Sequence, residues 1–310
     1  MTEYLVTGGA GFIGSHLVEH LLSQGKSVSV LDNLSTGKMQ NLEPFLDKIV
    51  FYQGDICNEA LLDRALEGVR IVFHEAALSS VPRSVKDPMA SHLANSEGTL
   101  KLLLHAKEKG VKRVIYAGSS SAYGDSEELP KVETMIPKPL SPYASSKLAA
   151  EHYCQIFANI YGLETVTLRY FNVFGPRQDA QSEYSAVIPK FVSALQENKK
   201  PVIFGDGEQT RDFNYITNVV DANMLASEAN GVSGKVFNIA GGKRISLNEL
   251  LAFIQKIMQT SIQPHYDAPR IGDIRHSLAD IDLAKKLLKY EPCVDVFEGL
   301  QKTVSWFLKH

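Results

Sequence analysis

Two residues with complementary chemistry stand four positions apart in the sequence, Tyr143 and Lys147. That spacing places both side chains on one face of a helix. A tyrosine with an ordinary pKa of about 10 is a poor base at neutral pH. A nearby ammonium group favours the phenolate, which is a competent general base toward a substrate hydroxyl. The pattern is common in helices by chance, so its meaning depends on the residues that surround it.

A run of three serines, Ser119, Ser120 and Ser121, supplies further candidate groups. The run directly follows the fifth predicted strand. The carboxyl ends of strands are where open α/β sheets bind their ligands. A hydroxyl at that edge can share a short hydrogen bond with a substrate oxygen and relay its proton. We therefore predict one catalytic group made of the three serines, Tyr143 and Lys147.

A glycine-rich turn lies between the first predicted strand and the first predicted helix. Its glycines include Gly8, Gly11 and Gly14, and the helix is predicted to open with Phe12 and Ile13. Glycines permit the tight turn and let the backbone approach a pyrophosphate, while the helix N-terminus offers free N–H groups to that anion. The position of the motif between strand and helix indicates a dinucleotide site.

The end of the second predicted strand indicates which dinucleotide is bound. A carboxylate at Asp32 can accept hydrogen bonds from both adenosine ribose hydroxyls and would repel a 2′-phosphate. Asn33, not an arginine, follows it, which favours NAD over NADP. Asp55 ends the third strand and is expected near the adenine edge. The small side chains of Ala76 and Ala77 would let the dinucleotide cross the sheet edge.

These groups require an alternation of strands and helices that positions them. Strands are predicted at 4–7, 27–31, 49–53, 71–74, 113–117 and 166–168, and helices at 12–24, 88–109, 143–160, 246–258 and 294–308. Continuous apolar strands separated by helices indicate a parallel sheet that is covered on both faces. We predict an α/β protein with a Rossmann-type doubly wound parallel sheet over 1–172, joined by part of 211–240, and a smaller C-terminal α/β substrate domain over 173–310.

The composition narrows the class of protein. The 310 residues are 44% apolar and 22% charged, which is typical of a globular chain. The formal net charge of -3, without a long basic run, argues against a nucleic-acid surface. Three dispersed cysteines favour reduced thiols, and the sequence shows neither a signal peptide nor an apolar stretch of the roughly 18 residues that span a bilayer. We expect a cytoplasmic protein with no metal and no membrane contact.

Ordered motifs along essentially the whole chain resemble the extended short-chain dehydrogenase/reductase superfamily, and within it the NAD-dependent sugar-nucleotide epimerases and dehydratases. The matching motifs, besides those above, are Asp55-Ile56, His74-Glu75-Ala76-Ala77, the run Tyr170-Phe171-Asn172-Val173-Phe174-Gly175-Pro176-Arg177, Gly205-Asp206-Gly207, Arg211-Asp212-Phe213 and Arg270-Ile271-Gly272-Asp273. The resemblance implies bound NAD, a UDP-sugar substrate, Ser119 in the catalytic Ser/Thr position, and a homodimer formed through the helices at 88–109 and 143–160. Further cofactor contacts are expected at Ser35, Gly37, Ile56, Asn95 and Tyr170.

The resemblance also implies which residues bind UDP. Asn172, Arg211 and Arg270 would hold the diphosphate, a task that suits arginine because its planar fork donates two hydrogen bonds to phosphate oxygens. Asp273 would accept a hydrogen bond from a uridine ribose hydroxyl. The uracil slot would be lined by Val187, Lys190 and Phe204.

Members of this family share one opening step, in which the tyrosine removes the 4-hydroxyl proton while C4 gives a hydride to NAD. Dehydratases resemble one another in carrying Asp-Glu after the catalytic Thr, and decarboxylases of UDP-glucuronate commonly carry a Glu there. Ser120 and Ser121 cannot do carboxylate chemistry, which favours 4-epimerisation through a 4-keto sugar that turns over. A dehydratase or decarboxylase remains an alternative. A non-catalytic NAD-binding sensor protein is a remote one, since Ser119, Tyr143 and Lys147 are intact.

The sugar is indicated by position 277. Epimerases confined to non-acetylated hexoses commonly carry a bulky Tyr four residues after the Asp of the R-x-G-D segment, and this chain carries Ser277. Ser79 and Arg83 lie in a motif that resembles the subgroup acting on N-acetylated sugars. We expect interconversion of UDP-N-acetylglucosamine and UDP-N-acetylgalactosamine, with UDP-glucose and UDP-galactose as additional substrates. Arg83 could equally meet a carboxylate, so 4-epimerisation of UDP-glucuronate stays open.

Overall fold

The structure is a computed structural model that describes residues 2–179, 186–269 and 274–310. Its strands are β1 Tyr4–Thr7, β2 Val28–Asp32, β3 Ile49–Gln53, β4 Ile71–His74, β5 Arg113–Ser119, β6 Glu164–Tyr170, β7 Val173–Phe174, β8 Val202–Phe204, β9 Thr210–Asp212, β10 Asn214–Tyr215, β11 Lys235–Ile239, β12 Arg244–Ser246 and β13 His265–Asp267. Its helices are α1 Phe12–Ser23, α2 Glu59–Ala65, α3 Val81–Lys86, α4 Pro88–His92, α5 Gly98–Glu108, α6 Pro142–Ile160, α7 Val187–Gln196, α8 Ile216–Glu228, α9 Leu247–Met258, α10 Asp282–Leu288 and α11 Val296–Phe307.

Seven parallel strands form the central sheet, in the order β11-β6-β5-β4-β1-β2-β3. The chain first builds outward from β1 to β3 and then restarts at β4 on the other side of β1, which is the strand order of a Rossmann sheet. The predicted fold class is therefore confirmed. The point where the order reverses lies between β1 and β4, and ligands of open α/β sheets bind at the carboxyl ends of the strands at such a point.

The sheet is buried on both faces, as its continuous apolar strands predict. Strands β1, β2 and β4 are buried along their whole length. One apolar cluster includes residues of α1 and α8, and a second includes residues of α2, α5 and α6. Two covered faces leave the strand ends as the places where polar side chains of the sheet can reach a ligand.

The region predicted as one helix over 88–109 is divided in the structure. Helix α4 is followed by a π-helical turn over Leu93–Glu97, after which α5 begins at Gly98. Two polar residues of the turn, Asn95 and Ser96, are buried and bonded to helix α6. These tertiary hydrogen bonds give the turn a geometry that an apolar periodicity cannot reveal.

The second half of the chain adds small strand pairs beside the central sheet. Strand β7 pairs with β10, β9 with β12, and β8 with β13. Strand β11 returns to the central sheet, where it pairs with β6 along all five of its residues. Among the described residues, no helix is long and apolar enough to cross a membrane.

Candidate active site

The glycine turn packs backbone against backbone. Gly8 has a φ of +69°, and a Cβ at this position would lie 2.7 Å from the backbone nitrogen of Ala76. A Cβ at Gly14 would lie 2.2 Å from the carbonyl oxygen of Gly8. Helix α1 begins directly behind Gly11, which has no side chain to cover the first N–H groups of the helix. A narrow turn with accessible N–H groups at a helix N-terminus fits the pyrophosphate of a dinucleotide.

Asp32 anchors this turn from the end of β2. Its Oδ2 accepts a hydrogen bond from the N–H of Ala10 at 2.9 Å, and its Oδ1 accepts one from the N–H of Leu34 at 2.8 Å. Burial raises the pKa of Asp32, and the two backbone N–H groups oppose that rise. A carboxylate has about four lone-pair sites, so it retains acceptors for the ribose hydroxyls. Gly37 packs against it, since a Cβ there would lie 3.0 Å from Oδ1.

The residues predicted for the adenine side support one another. Asn33 donates from Nδ2 to Oδ2 of Asp55 at 2.7 Å and accepts from the N–H of Ser35 at 3.0 Å. Ile56 is buried under the start of α5, where it fills the space beside Gly98. The loop after β2 and the loop after β3 are thus joined at the edge where the adenosine of NAD is expected.

The hydroxyl groups that we predict to be catalytic lie where β5 ends and α6 begins. Ser119 is the last residue of β5, and its side chain lies near that of Tyr143 in the first turn of α6, where it favours the ionised form of the phenol. Ser121 Oγ lies 2.8 Å from Ser119 Oγ, and Ser120 opens the short 3₁₀ turn between them. Burial raises the pKa of Tyr143, and the hydrogen bond from Ser119 opposes that rise.

Lys147 lies one helical turn after Tyr143 and is buried. Its Nζ is 4.4 Å from the centre of the Tyr116 ring, a distance at which the ring attracts a cation. Burial lowers the pKa of Lys147 to about 8, and the carboxylate of Glu75 opposes that fall. Sequence reasoning assigned no role to Tyr116 or Glu75. In the sequence, Tyr116 looks like any other buried residue of β5. Glu75 is an acidic residue at a strand end, and that position could have indicated a role in the site.

Helix α6 is held against the sheet by the π-helical turn. Asn95 Nδ2 donates to Ser146 Oγ at 2.9 Å, and Ser96 Oγ donates to the Ser146 carbonyl at 3.1 Å. Asn95 Oδ1 also accepts the N–H of Leu78 at 2.8 Å. The amide of Asn95, which we predict as a cofactor contact, therefore joins the segment after Ala77 to the catalytic helix.

A buried ion pair fixes the same helix to β6. Arg169 donates to both carboxylate oxygens of Glu151, at 2.9 Å from Nε and 2.6 Å from Nη2, and each side chain is only 3% exposed. Glu151 lies one turn after Lys147, and Arg169 directly precedes Tyr170. The pair therefore sets the position of the catalytic helix relative to the end of β6.

A cavity of about 290 Å³ opens beside this edge. Five of the residues predicted to bind substrate line it, Asn172, Val187, Lys190, Phe204 and Arg211. Apolar walls with a few polar groups are typical of small-molecule sites. Its wall also contains residues that the sequence did not single out, among them Phe174, Gln178, Phe191, Gln209, Phe213 and Leu247.

Positively charged side chains gather near the Arg211 end of the cavity, where Arg275 is paired with Asp206 at 2.8 Å. Arg211 lies in β9, and Nη1 donates to the carbonyl of Thr210 at 3.0 Å. His276 is 2.9 Å from the Thr210 hydroxyl, and its pKa is lowered by burial and by the charges of Arg244, Arg275 and Arg211. Such a cluster attracts an anion such as a diphosphate. Arg244 and His276 were not predicted, because their proximity comes from strand pairing between distant segments.

The other described residues that we predict to bind substrate are not among those that line this cavity. Ser277 donates its N–H to the Thr210 carbonyl at 3.0 Å, which places it beside β9. Ser79 directly precedes Ser80, whose hydroxyl caps helix α3 by accepting the N–H of Arg83 at 3.2 Å. Arg270 and Asp273 lie outside the described residues.

Comparison with known proteins identifies the family. The model of the NAD dependent epimerase/dehydratase family matches residues 4–240. The chain belongs to this family. Membership confirms the resemblance found in the sequence and the expectation of NAD as cofactor, which the glycine turn and Asp32 fit.

Individual relatives in the family cover nearly the full chain. UDP-N-acetylglucosamine 4-epimerase from Methanobrevibacter ruminantium M1, solved with UDP-N-acetylmuramic acid, is 43% identical with a TM-score of 0.95, covering 99% of this chain and 98% of that one. UDP-glucose 4-epimerase of Mycolicibacterium smegmatis is 39% identical, covering 98% and 97%. UDP-glucuronate 4-epimerase of Thermodesulfobacterium geofontis is 36% identical, covering 99% and 96%.

Asp32→Asn tests the cofactor side of the site. Asparagine keeps an oxygen acceptor but loses the charge that would repel a 2′-phosphate, so the preference for NAD over NADP is expected to fall about tenfold or more. Calorimetric titration of cofactor-free protein with each dinucleotide measures the two affinities. Asp47→Asn, at an exposed position, is the matched control. An unchanged ratio of affinities in Asp32→Asn would contradict the role of this carboxylate in cofactor choice.

Proposed function

We propose that the chain is a UDP-hexose 4-epimerase that uses NAD. The observation that carries the proposal is the grouping of Ser119 at the end of β5, Tyr143 in the first turn of α6 and buried Lys147 one turn further along that helix. This group stands at the sheet edge where dinucleotides bind in Rossmann folds. The side chains next to Ser119 are the neutral Ser120 and Ser121. The relatives named as 4-epimerases support the same reaction.

The residues of the chain account for the proton chemistry of this reaction. Tyr143 acts as the general base toward the 4-hydroxyl of the sugar, and Ser119 forms a hydrogen bond with the same hydroxyl oxygen. Lys147, as an ammonium ion, stabilises the phenolate of Tyr143. NAD, which the glycine turn and Asp32 would hold, would supply reversible hydride transfer at C4 when bound. Tyr143 then gives the proton back to the oxygen of the inverted centre.

The neutral serines distinguish this proposal from its enzymatic rivals. Elimination of water requires an additional acid and base, which in dehydratases are supplied by carboxyl groups next to the catalytic hydroxyl. Ser121 instead bonds to Ser119 at 2.8 Å and has no carboxyl group to offer. A protein that only senses NAD would have no need for a tyrosine base beside a serine. Epimerisation uses Ser119, Tyr143 and Lys147 and requires no carboxyl group next to Ser119.

Tyr143→Phe tests the assignment of the base. The substitution removes one hydroxyl and leaves the ring, so the fold and UDP binding should persist while turnover falls roughly 10²–10⁴-fold. Turnover is followed by chromatographic separation of the two UDP-sugars. Tyr153→Phe, a partly buried tyrosine on the same helix, is the control and should retain full activity. A folded Tyr143→Phe protein with near-normal turnover would remove Tyr143 from the mechanism.

We further propose that the principal substrates are UDP-N-acetylglucosamine and UDP-N-acetylgalactosamine, with UDP-glucose and UDP-galactose as additional substrates. Ser277 lies beside β9, the strand that carries Arg211, and its small side chain leaves room for an N-acetyl group. A pocket wall discriminates mainly by volume. The 43% identity to a UDP-N-acetylglucosamine 4-epimerase supports this choice. UDP-glucuronate is the second candidate, supported by Arg83 and by the 36% identical relative.

Ser277→Tyr tests the choice of sugar. The bulky ring should reduce kcat/KM for the N-acetylated pair roughly 10²-fold while sparing UDP-galactose. Both pairs and UDP-glucuronate are assayed with the parent protein, Ser277→Tyr and the control Ser277→Ala, which keeps the pocket open. Equal losses on both pairs, or none on either, would show that Ser277 does not control this pocket. Preferred turnover of UDP-glucuronate by the parent protein would favour the second candidate.

A homodimer is proposed from the same region that carries the catalytic helix. Helices α5 and α6 pack side by side, and large apolar side chains on them face outward. The exposed apolar residues are Leu104, Ile156 and Ile160 on these two helices, and Met89 and Leu93 on α4 and the π-helical turn that precede α5. A second copy of the chain that pairs these helices would remove them from water.

The double variant Leu104→Glu/Ile156→Glu tests the dimer. Four carboxylates brought together in a symmetric interface would repel one another, so the variant should sediment as a monomer when the parent protein sediments as a dimer. Sedimentation velocity measures both. Leu46→Glu, at another exposed apolar residue outside these helices, is the control. A parent protein that is monomeric, or a variant that remains dimeric, would contradict this interface.

A further inference from the structure

Glu75 is an acidic residue at the same edge of the sheet as Ser119, and the proposed mechanism gives it no role. It follows His74, the last residue of β4, and is partly buried. Its Oε1 is 2.8 Å from the hydroxyl oxygen of Tyr170, the last residue of β6. The contact therefore crosses the end of β5, the strand that ends with catalytic Ser119. Glu75 lies among the strand ends that frame the site.

The direction of the hydrogen bonds shows that Glu75 is held as an acceptor. The Asn223 amide donates to the Tyr170 oxygen at 2.8 Å and also to the Val219 carbonyl at 2.8 Å. An amide nitrogen can only donate, so the single phenolic proton of Tyr170 is left for the carboxylate of Glu75. A carboxylate that accepts a hydrogen bond is favoured in its charged form. Helix α8 thus orients the Tyr170 hydroxyl toward Glu75.

Lys147 lies close to the strand end that carries Glu75, because its Nζ is 4.4 Å from the centre of the Tyr116 ring and Tyr116 pairs with His74, the residue before Glu75. Burial raises the pKa of Glu75 to about 7, while the Tyr170 hydroxyl and the Lys147 charge oppose that rise. In return, Glu75 is the first of the groups that support the charge of Lys147 against burial. The two side chains therefore favour each other's charged forms across the site.

The other titratable groups near Lys147 do not supply a free negative charge. Glu151 is paired with Arg169 on both oxygens. Burial raises the pKa values of Cys154, Tyr116 and Tyr170, which keeps all three neutral, and Tyr143 is the base itself. Burial lowers the pKa of His74 to about 3, so that ring is neutral. Glu75 is the carboxylate that remains to balance the ammonium.

We propose that Glu75 is a positioning residue for proton transfer: its carboxylate, held by Tyr170, keeps Lys147 an ammonium ion beside Tyr143 and so sets the upper pH limit of the reaction. This inference rests on the proposed function, since it concerns the charge that supports Tyr143. The direction of the expected pH shift follows from the opposite charges of Glu75 and Lys147. Loss of the negative charge lowers the pKa of Lys147, so the ammonium is lost at a lower pH.

Glu75→Gln is the test, because glutamine retains an oxygen acceptor for Tyr170 and lacks only the charge. The basic limb of the pH profile of kcat/KM for the UDP-sugar is expected to move about one unit toward lower pH. The loss relative to the parent protein should be roughly tenfold above the new limb and small below it. Tyr170→Phe removes the hydrogen bond that favours the carboxylate, so it should move the limb in the same direction by less.

Glu133→Gln is the matched control. Glu133 is also partly buried and accepts a backbone N–H, from Asn238 at 2.8 Å, but its charge is not among those that act on Lys147. The basic limb of the pH profile of Glu133→Gln should coincide with that of the parent protein. A Glu75→Gln enzyme with an unmoved limb, or a uniform loss at every pH together with a lower melting temperature, would show a structural role only. A parent protein without epimerase activity would instead overturn the proposed function.

Discussion

The position of helix α6 on the sheet is the constraint on which the chemistry depends. The helix carries both Tyr143 and Lys147, and it must hold Tyr143 within hydrogen-bond reach of Ser119 on β5. Ser146 lies between the two catalytic positions and receives hydrogen bonds from the π-helical turn through its hydroxyl and its carbonyl. The Tyr116 hydroxyl donates to the carbonyl of Lys147 at 3.1 Å. Such turns are frequent at functional sites, and here the turn fixes the base relative to the sheet.

This arrangement requires charged side chains to be buried, which weakens their hydration. An ion taken out of water loses several kcal/mol of hydration, which is recovered only with good geometry and a partner. Arg169 and Glu151 meet that condition with two parallel hydrogen bonds. Lys147 has the face of Tyr116 and the more distant charge of Glu75, and its pKa falls to about 8. Both carboxylate oxygens of the structural pair are compensated, although Arg169 Nη1 is buried without a hydrogen-bond partner among the described residues, whereas the lysine of the proposed catalytic group has a pKa close to neutral pH.

Sequence patterns predicted those elements of the fold whose limits depend on neighbouring residues in the chain. The ends of β1, β3 and β4 agree with the prediction, since strand limits follow from short apolar runs between turn residues. The division of the 88–109 helix could not be predicted, because the π-helical turn depends on bonds from Asn95 and Ser96 to a helix some fifty residues away. Arg244 was missed for the same reason, since strand pairing brings its partners near. Glu75 offered a local signal, its place at a strand end, but strand order decides which residues it meets.

The two ends of the site divide the work that the proposed reaction requires. A sugar that must present both faces to one cofactor cannot be gripped tightly around its ring. The substrate must therefore be held elsewhere, and binding energy from a part that does not react can serve that purpose. In this chain the arginines lie at β9 and β12, whereas the groups at the end of β5 are small hydroxyls. In the proposed reaction, the arginine end would retain the diphosphate and the small hydroxyls would leave the sugar room to turn.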